Sequence, residues 1–342
     1  MKRLLILLAV VLVLFSSCDT GRTLTSATGT IYELLVVGNE SSVTAAVTEV
    51  MGADMPCLPQ MEPYFNVNTV RREQFDDILK PTRNVLFADI NAERYTQTKV
   101  AFKTDVYSHP QAMCIIQAPS VEAFDSLWTV RSSAIRTWFV DQEIKRQCEF
   151  NKTFCNFDAR ELIQRNFQAD MVVPADYMVI LDTVAQGLHF MWMCNDKGSM
   201  RRDLVVYSYP YTDAATFTGD YQLGKRDEVM RKFVSGSMQG SYVGTEYKHI
   251  PPQYAAKNIN GAYAGELRGL WKMLGGVAMG GPFVSITRLD ELQQRVVTAE
   301  TFIYAAGQKK RNALRQAEAI LYSLRLSGEV NNIDEVEIQV QE

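Results

Sequence analysis

The stretch 177-YMVILDTVAQGLHFMWMC-194 carries the clearest secondary-structure pattern in this chain. Two apolar runs flank the turn residues 185–187, a pattern that predicts a hairpin with strands over 177–182 and 189–194. The next apolar run, 204-LVVYSYPY-211, predicts a third strand. Strands that follow one another through short connections pair antiparallel, so we expect an antiparallel sheet here.

The rest of the chain alternates between groups of strands and separate helices. Four prolines interrupt residues 53–83, where we predict irregular structure. This arrangement predicts the α+β class, with antiparallel sheets and helices packed on one face. A similar order of strand, proline, turn and phenylalanine in 114–124 and 205–217 leaves open whether two α/β halves are related. Further strands are predicted at 31–39, 84–90, 100–107, 113–117, 242–249, 263–273, 283–287 and 296–304, and helices at 41–50, 120–167 with a kink, 227–234 and 309–326.

The N-terminus has the pattern of a signal peptide. Two basic residues precede an apolar run of 12 residues, 4–15, and two serines follow it. A helix that crosses a membrane needs about 20 apolar residues, so the run is too short for an anchor. We therefore predict a cleaved signal peptide over residues 1–17, the alternative being an uncleaved membrane anchor.

Cys18 directly follows the two serines, and 14-LFSSC-18 resembles a bacterial lipobox. In a lipobox the cysteine thiol receives a diacylglycerol, the leader is cut before it, and the new N-terminus is acylated. Each buried methylene contributes about 0.8 kcal/mol, so several acyl chains anchor stably. Residues 18–30 are rich in Thr, Ser and Gly and predict a tether with a reach on the order of 20 Å. Only Asp19 is acidic there, which favours a periplasm-facing anchor in the cell envelope, in the outer rather than the inner membrane.

The charge balance argues against a nucleic-acid partner. The chain carries 35 Lys and Arg against 39 Asp and Glu, and two of the basic residues lie in the leader. Nucleic acid requires a basic surface, so we expect none to bind, and membrane attachment rests on Cys18. The remaining organisation is an N-terminal half over 31–168, a C-terminal half over 169–326 and an acidic tail over 327–342.

Known catalytic and metal-binding motifs are missing from the sequence. The three histidines have no second ligand at a metal-binding spacing, and there is no C-x-x-C or G-x-S-x-G. Five cysteines besides Cys18 cannot all pair within one chain. Cys148 and Cys155 could bond only if the predicted helix breaks between them, which leaves that disulfide open. We predict no catalytic residue, no metal and no cofactor.

One strand suggests a binding face. Tyr207, Tyr209 and Tyr211 alternate along it and therefore share one side. Tyrosine is common in binding surfaces, so these three residues are the candidate binding face; the alternative is a tyrosine-lined sheet packed under a helix. Arg268 and Trp271 lie in another strand at positions of opposite parity, so at most one of them belongs to such a face.

Two further segments each have a structural and a functional interpretation. The glycine-rich 274-LGGVAMGGPF-283 lacks the G-K-[ST] ending of a phosphate loop and predicts a connection between strands. Lys309, Lys310 and Arg311 begin a predicted helix, where cations oppose the helix dipole. That conflict suggests an acidic partner for this helix end, solvent exposure being the alternative.

Long motifs in the second half resemble a known family. They are 205-VVYSYPYTDAATF-217, 240-GSYVGTEY-247, 266-ELRGLWKM-273 and the run that begins 280-GGPFVSITRLDELQQRVV-297. They resemble the Bacteroidetes lipoprotein family catalogued as domain of unknown function 4837. The stretches 172-VVPADY-177 and 83-RNVLFADI-90 fit as well, so the resemblance covers most of the mature chain. It implies a lipid-anchored envelope protein without an established activity, and it supplies no catalytic residues.

The sequence thus predicts a lipid-anchored cell-envelope protein that binds or scaffolds an envelope protein or glycan. The alternative is an envelope hydrolase acting on peptidoglycan or glycan, with an active site assembled from residues distant in the sequence.

Overall fold

The computed structural model describes residues 24–259 and 261–329. The leader and Cys18 lie outside the described residues, as does the acidic tail from residue 330 onward. The described residues form two large sheets with α-helices packed on them, which confirms the predicted α+β class. Each sheet builds one half of the molecule.

The first sheet has the strand order β3-β2-β4-β7-β5. Its elements are β2 (Glu33–Val37), β3 (Asn66–Val70), β4 (Asn84–Ile90), β5 (Lys99–Thr104), β7 (Ala112–Ala118), α1 (Ser41–Met51) and α2 (Val121–Thr153), and a small parallel pair, β1 (Thr25–Ser26) and β6 (Ser108–His109), accompanies them. Here the expectation of an antiparallel sheet needs correction, because β3, β2, β4 and β7 are parallel neighbours and only β5 is antiparallel. Between β2 and β3 the chain crosses over through α1, the kind of long connection that a parallel pair requires.

Alternation along these strands makes both faces of the first sheet apolar. Leu34 and Val36 of β2 face α1 and α2, where they pack in one cluster with Val43 and Phe124. The intervening residues of β2 face the other way and pack with the partly buried Phe75. The long helix α2 therefore has one side on the sheet and leaves another side for the second half.

The second sheet is antiparallel and has eight strands, in the order β11-β13-β14-β15-β10-β9-β8 with β12 also paired to β13. Its strands are β8 (Met178–Ala185), β9 (Leu188–Asn195), β10 (Arg201–Pro210), β11 (Tyr242–Glu246), β12 (Gln253–Ile259), β13 (Ala262–Leu274), β14 (Gly280–Asp290) and β15 (Arg295–Tyr304). Its helices are α3 (Phe157–Phe167), α4 (Gly219–Phe233) and α5 (Arg311–Tyr322). The hairpin predicted around 185–187 is present as β8 and β9.

Helices cover both faces of the second sheet rather than the one face expected. Leu204 and Val206 of β10 pack in the cluster that contains α3 and α5. Val205 and Tyr207 point to the opposite face and pack with Val229 of α4. Each face is apolar along the strand, so each needs a helix to cover it. The two sheets differ in topology, so the fold offers no sign of an internal duplication.

The two halves meet where α2 packs on α5. The Cys148 thiol in α2 donates to the Ala319 carbonyl of α5 at 3.2 Å. The predicted long helix breaks after Thr153, and Asn156 caps the start of α3, its side chain accepting the Ala159 N–H. Although that break satisfies the condition set for a disulfide, Cys148 and Cys155 are both free thiols. The helix α3 falls in the range 31–168 but packs on the second sheet.

None of the helices in the described ranges is long and apolar enough to span a membrane.

Candidate functional site

A cleft of about 240 Å³ lies between the two halves, and we call it the charged cleft. The helix α2 of the first half forms one wall, and β12, β13 and α5 of the second half form the other. The residues that matter for its chemistry are Arg136, Thr137 and Asp141 of α2, Lys257 of β12, Glu266 and Arg268 of β13, Arg315 and Tyr322 of α5, and Tyr64.

A network of buried ion pairs forms one wall of the charged cleft. Glu266 and Arg268 alternate along β13 and share a face, where Arg268 donates from Nε to Oε1 at 2.8 Å and from Nη2 to Oε2 at 3.0 Å. The third nitrogen of Arg268, Nη1, donates to Glu318 of α5 at 2.6 Å. One turn earlier in α5, Arg315 donates to the other oxygen of Glu318 at 2.7 Å. The network therefore ties β13 to α5.

The two glutamates in this network remain ionised. Burial alone would raise the pKa of Glu266, but the charge and hydrogen bonds of Arg268, helped by Lys257 and Arg315, outweigh it and lower the pKa to about 2. Burial acts in the same direction on Glu318, and the charges of Arg268 and Arg315 again lower its pKa below the ordinary value. Their oxygens are already used by arginines, so these carboxylates act as fixed charges.

Asp141 differs from both glutamates. It is half-buried on α2, and within the described part of the chain no hydrogen bond or ion pair to its carboxyl group is present. Burial raises its pKa to about 6, although Lys257 and Arg315 act to lower it. Asp141 is therefore a carboxyl group in a cleft, free to bind a ligand and able to change its protonation near neutral pH.

The remaining side chains add hydrogen-bond donors and an aromatic surface. The Lys257 ammonium lies 3.8 Å from the nearer oxygen of Glu266, with 40% of its side chain exposed. Arg136 donates from Nη1 to the Val50 carbonyl at 3.1 Å, and its guanidinium carbon lies 4.3 Å from the centre of the Tyr64 ring. A cleft that combines these donors with the Asp141 carboxyl group and the Tyr64 ring suits a polar ligand rather than an apolar one.

An acidic residue of the first half holds α5 in place beside the cleft. The Glu62 carboxylate accepts the backbone N–H groups of Lys310 at 2.6 Å and Arg311 at 3.0 Å. The cations at this helix end predict an acidic partner, and Glu62 of the same chain lies at the N-terminus of α5. A carboxylate there satisfies two helix N–H groups and complements the helix dipole.

The structure places the candidate tyrosine face mostly inside the molecule. Tyr207 and Tyr209 are 2% and 7% exposed and pack in the cluster under α4, whereas Tyr211 is half-buried. This burial agrees with the alternative of a tyrosine-lined sheet under a helix, and a binding role of Tyr207, Tyr209 and Tyr211 stays a prediction; Tyr211 follows the last residue of β10. Trp271 is also buried and donates to the Ile303 carbonyl at 3.0 Å, while Arg268 belongs to the charged cleft.

The glycine-rich run 274–283 connects β13 to β14 and continues into the latter strand. Among the described residues, no three His, Cys, Asp or Glu side chains come together in a way that could hold a metal ion. Cys18 lies outside the described residues, so its lipidation stays a prediction.

Sequence reasoning missed Asp141, although a signal for it exists. In 138-WFVDQEI-144, a carboxylate stands within a run of residues that are mostly buried in α2. A charged residue in such a run has either a partner or a function. The alternation of Glu266 and Arg268 in β13 was visible from the sequence, but their neighbours in α5 are about 50 residues away.

Two family models match the chain, over separate ranges of residues. Residues 156–323 match a family model described as Domain of unknown function (DUF4837), which confirms the resemblance to that domain, and to nothing more specific, over the second half. Residues 27–152 match a different model, Domain of unknown function (DUF8532), so the 83-RNVLFADI-90 stretch assigned to the first family falls in the second model. The two matches meet at the break between α2 and α3. No curated protein matches the chain.

Proposed function

We propose that this protein is a lipid-anchored component of the bacterial cell envelope that binds another envelope component in the charged cleft. Cys18 holds it on the periplasmic side of the outer membrane, and the resemblance points to Bacteroidetes as its source. The observation that carries the binding role is the unpartnered carboxyl group of Asp141 in a cleft between two halves. Ligand sites occur preferentially at such interfaces.

The charged cleft limits the chemistry of its ligand. Lys257 and Arg136 offer donors, Asp141 offers an acceptor, and Tyr64 offers an aromatic edge. A cleft of about 240 Å³ admits one side chain or one sugar unit rather than a larger body. The partner is therefore a protein or glycan that inserts a single polar group, which agrees with a binding or scaffolding role.

Crosslinking in cells tests the binding role. We expect wild-type protein, crosslinked with formaldehyde and purified, to bring down the same envelope component in repeated experiments. Lys257→Met should reduce that recovery strongly, because it removes a donor from the cleft. Lys99→Met, on the exposed edge strand of the first sheet, should leave it unchanged. Recovery of the wild-type protein alone, at native abundance, would contradict the proposal.

Membrane fractionation tests the anchor separately. Cys18→Ala should move the protein from the membrane fraction to the soluble fraction without changing its thermal unfolding. Cys155→Ala provides the matched control, since it removes a free thiol of the folded part. Membrane association that survives Cys18→Ala would mean that the lipobox interpretation is wrong.

A second candidate function, an envelope hydrolase acting on peptidoglycan or glycan, rests on the same residue. The Asp141 carboxyl group, whose pKa burial raises to about 6, resembles the general acid of such enzymes, and Glu266, whose oxygens accept hydrogen bonds from Arg268, contributes a fixed negative charge nearby. This candidate predicts that the purified protein releases soluble fragments from peptidoglycan and that Asp141→Asn stops the release. Asp125→Asn, at an exposed position of α2, should have no effect. No release by the wild-type protein would exclude peptidoglycan as the substrate.

A further inference from the structure

A second cleft, of about 390 Å³, lies on another side of the α2–α5 contact, and we call it the aromatic cleft. The last turns of α2, the segment 174–177, the adjoining ends of β9 and β10, and α5 line it. None of its lining residues belongs to the charged cleft. It is therefore a separate feature of the molecule.

Three residues that line the aromatic cleft carry a buried polar atom that has no hydrogen-bond partner among residues 24–259 and 261–329. These atoms are Asn151 Nδ2, Tyr177 Oη and Arg202 Nε. Asn151 and Tyr177 are each only 3% exposed. Most buried polar groups in folded proteins are paired with the protein or with ordered water, so three atoms in one cleft without a protein partner mark a place where a further partner can bind.

All three unpaired atoms are hydrogen-bond donors. Gln147 donates to Asn151 Oδ1 at 2.9 Å, which uses the acceptor of that amide and leaves its NH2 group. The Tyr177 hydroxyl and Arg202 Nε each carry a hydrogen, and no ion pair of Arg202 is present in the part of the chain that the structure describes. The missing partner must therefore supply acceptors, and a carboxylate next to an unpaired arginine does so best.

The rest of the cleft is apolar and aromatic. Phe150 and Phe154 stand at its rim with their ring centres 5.1 Å apart, and they are 59% and 55% exposed. Ala317 and Ile320 of α5 form part of its wall. Exposed aromatic rings beside a polar end fit a ligand that has an apolar body and a charged head.

We propose that the aromatic cleft binds an amphipathic carboxylate, with its head at Arg202, Asn151 and Tyr177 and its body against Phe150 and Phe154. One neighbour opposes this binding. The Asp176 carboxylate also lines the cleft, where it accepts a hydrogen bond from Asn195. Its negative charge weakens the binding of an anion. Removing that charge should therefore strengthen the binding of a carboxylate, an effect that a purely apolar cleft would not show.

Calorimetric titration of the full chain with octanoate, and with octan-1-ol as the uncharged probe of equal length, tests the proposal. We expect octanoate to bind at least about tenfold more tightly than octan-1-ol, because a hydrogen bond to a charged group is stronger than a neutral one. Arg202→Met should weaken octanoate about tenfold, and Asp176→Asn should strengthen it. Arg131→Met, at an exposed position of α2, is the matched control and should change nothing.

Tyr177→Phe separates binding from folding. Since the hydroxyl has no hydrogen-bond partner in the described part of the chain, its removal should leave the thermal midpoint unchanged or slightly raised, while octanoate binding weakens. Equal affinity for octanoate and octan-1-ol, or octanoate binding that is unaffected by Arg202→Met, would overturn the proposal. These measurements do not involve the charged cleft, so their outcome is independent of the proposed function.

Discussion

Two arginine–glutamate clusters flank the second sheet, and they differ in how completely their groups are paired. Under α4, Arg226 donates from Nε to both Glu300 oxygens at 3.0 and 2.9 Å, and from Nη2 to Oε1 at 2.7 Å. Its last nitrogen donates to Thr245 Oγ1 at 2.8 Å, and the guanidinium lies over the Phe283 ring. Neither charged side chain of this pair is exposed.

The charged cleft uses the same residue types but remains open. Its arginines are paired with Glu266 and Glu318. The Asp141 carboxyl group, however, accepts no hydrogen bond from the described residues, and the Lys257 ammonium lies 3.8 Å from Glu266. In the closed pair, Arg226 and Glu300, the charged groups are already hydrogen-bonded to each other or to Thr245, so the pair stabilises the fold and leaves no group for a ligand. An open cluster keeps free groups in a fixed geometry, which is what a binding site requires.

The closed pair should give the largest effect on stability. Arg226→Met leaves the Glu300 carboxyl buried without its partner, so we expect the free energy of unfolding to fall by about 3–5 kcal/mol. Urea unfolding followed by circular dichroism measures it.

A double variant checks the physical reason for that loss. Arg226→Met with Glu300→Leu removes both charges and should recover much of the stability, because no unpaired charge remains. A loss below about 1 kcal/mol in the single variant would show that the pair is not buried as described.

The contact between the halves should give the next largest effect. Glu62→Ala removes the acceptor of two N–H groups at the start of α5, so we expect a loss of about 1–2 kcal/mol in the free energy of unfolding. Hydrogen exchange at Lys310 and Arg311 should accelerate at the same time. Glu49→Ala, at an exposed position of α1, is the control, and an equal loss in both variants would contradict the role given to Glu62.

The open cluster should give the smallest effect, and one that depends on pH. The pKa of Asp141 is raised to about 6, so between about pH 4 and pH 6 the folded state keeps a proton that the unfolded chain has released. Stability therefore falls as pH rises through this window, and Asp141→Asn avoids the fall. The thermal midpoint of the variant should lie about 2–4 °C above that of the wild-type protein near pH 7, and the two midpoints should be the same below about pH 4. Asp125→Asn should show no such trend, and a difference constant with pH would exclude a raised pKa at Asp141.

The sequence predicted the central strands because their apolar residues alternate or run together. It missed β3, whose residues 66-NVNTV-70 are polar and lie at the edge of the first sheet. It also missed β12, where 253-QYAAKNI-259 is mostly exposed and pairs with β13 only. Edge strands bury few side chains, so their sequences lack the apolar pattern that predicts a strand. Parallel pairing in the first sheet depends on crossovers, which no short pattern shows.

The candidate site was predictable only in fragments. The shared face of Glu266 and Arg268 follows from strand alternation, and the cations at the start of α5 indicated an acidic neighbour. Which acid it is depends on the packing of Glu62 from about 250 residues away. Asp141 gains its properties from burial against the second half, which is a property of the assembled fold.

We propose that a partner enters the charged cleft while the protein is tethered to a membrane. A photo-crosslinking residue at Thr137, an exposed position of α2 that lines the cleft, would capture such a partner in living cells. Val130, on the same helix, is 76% exposed and lies outside the cleft, so it is the matched control. We predict a light-dependent adduct with an envelope component from position 137 and not from position 130. Adducts from neither position, or equally from both, would contradict the account.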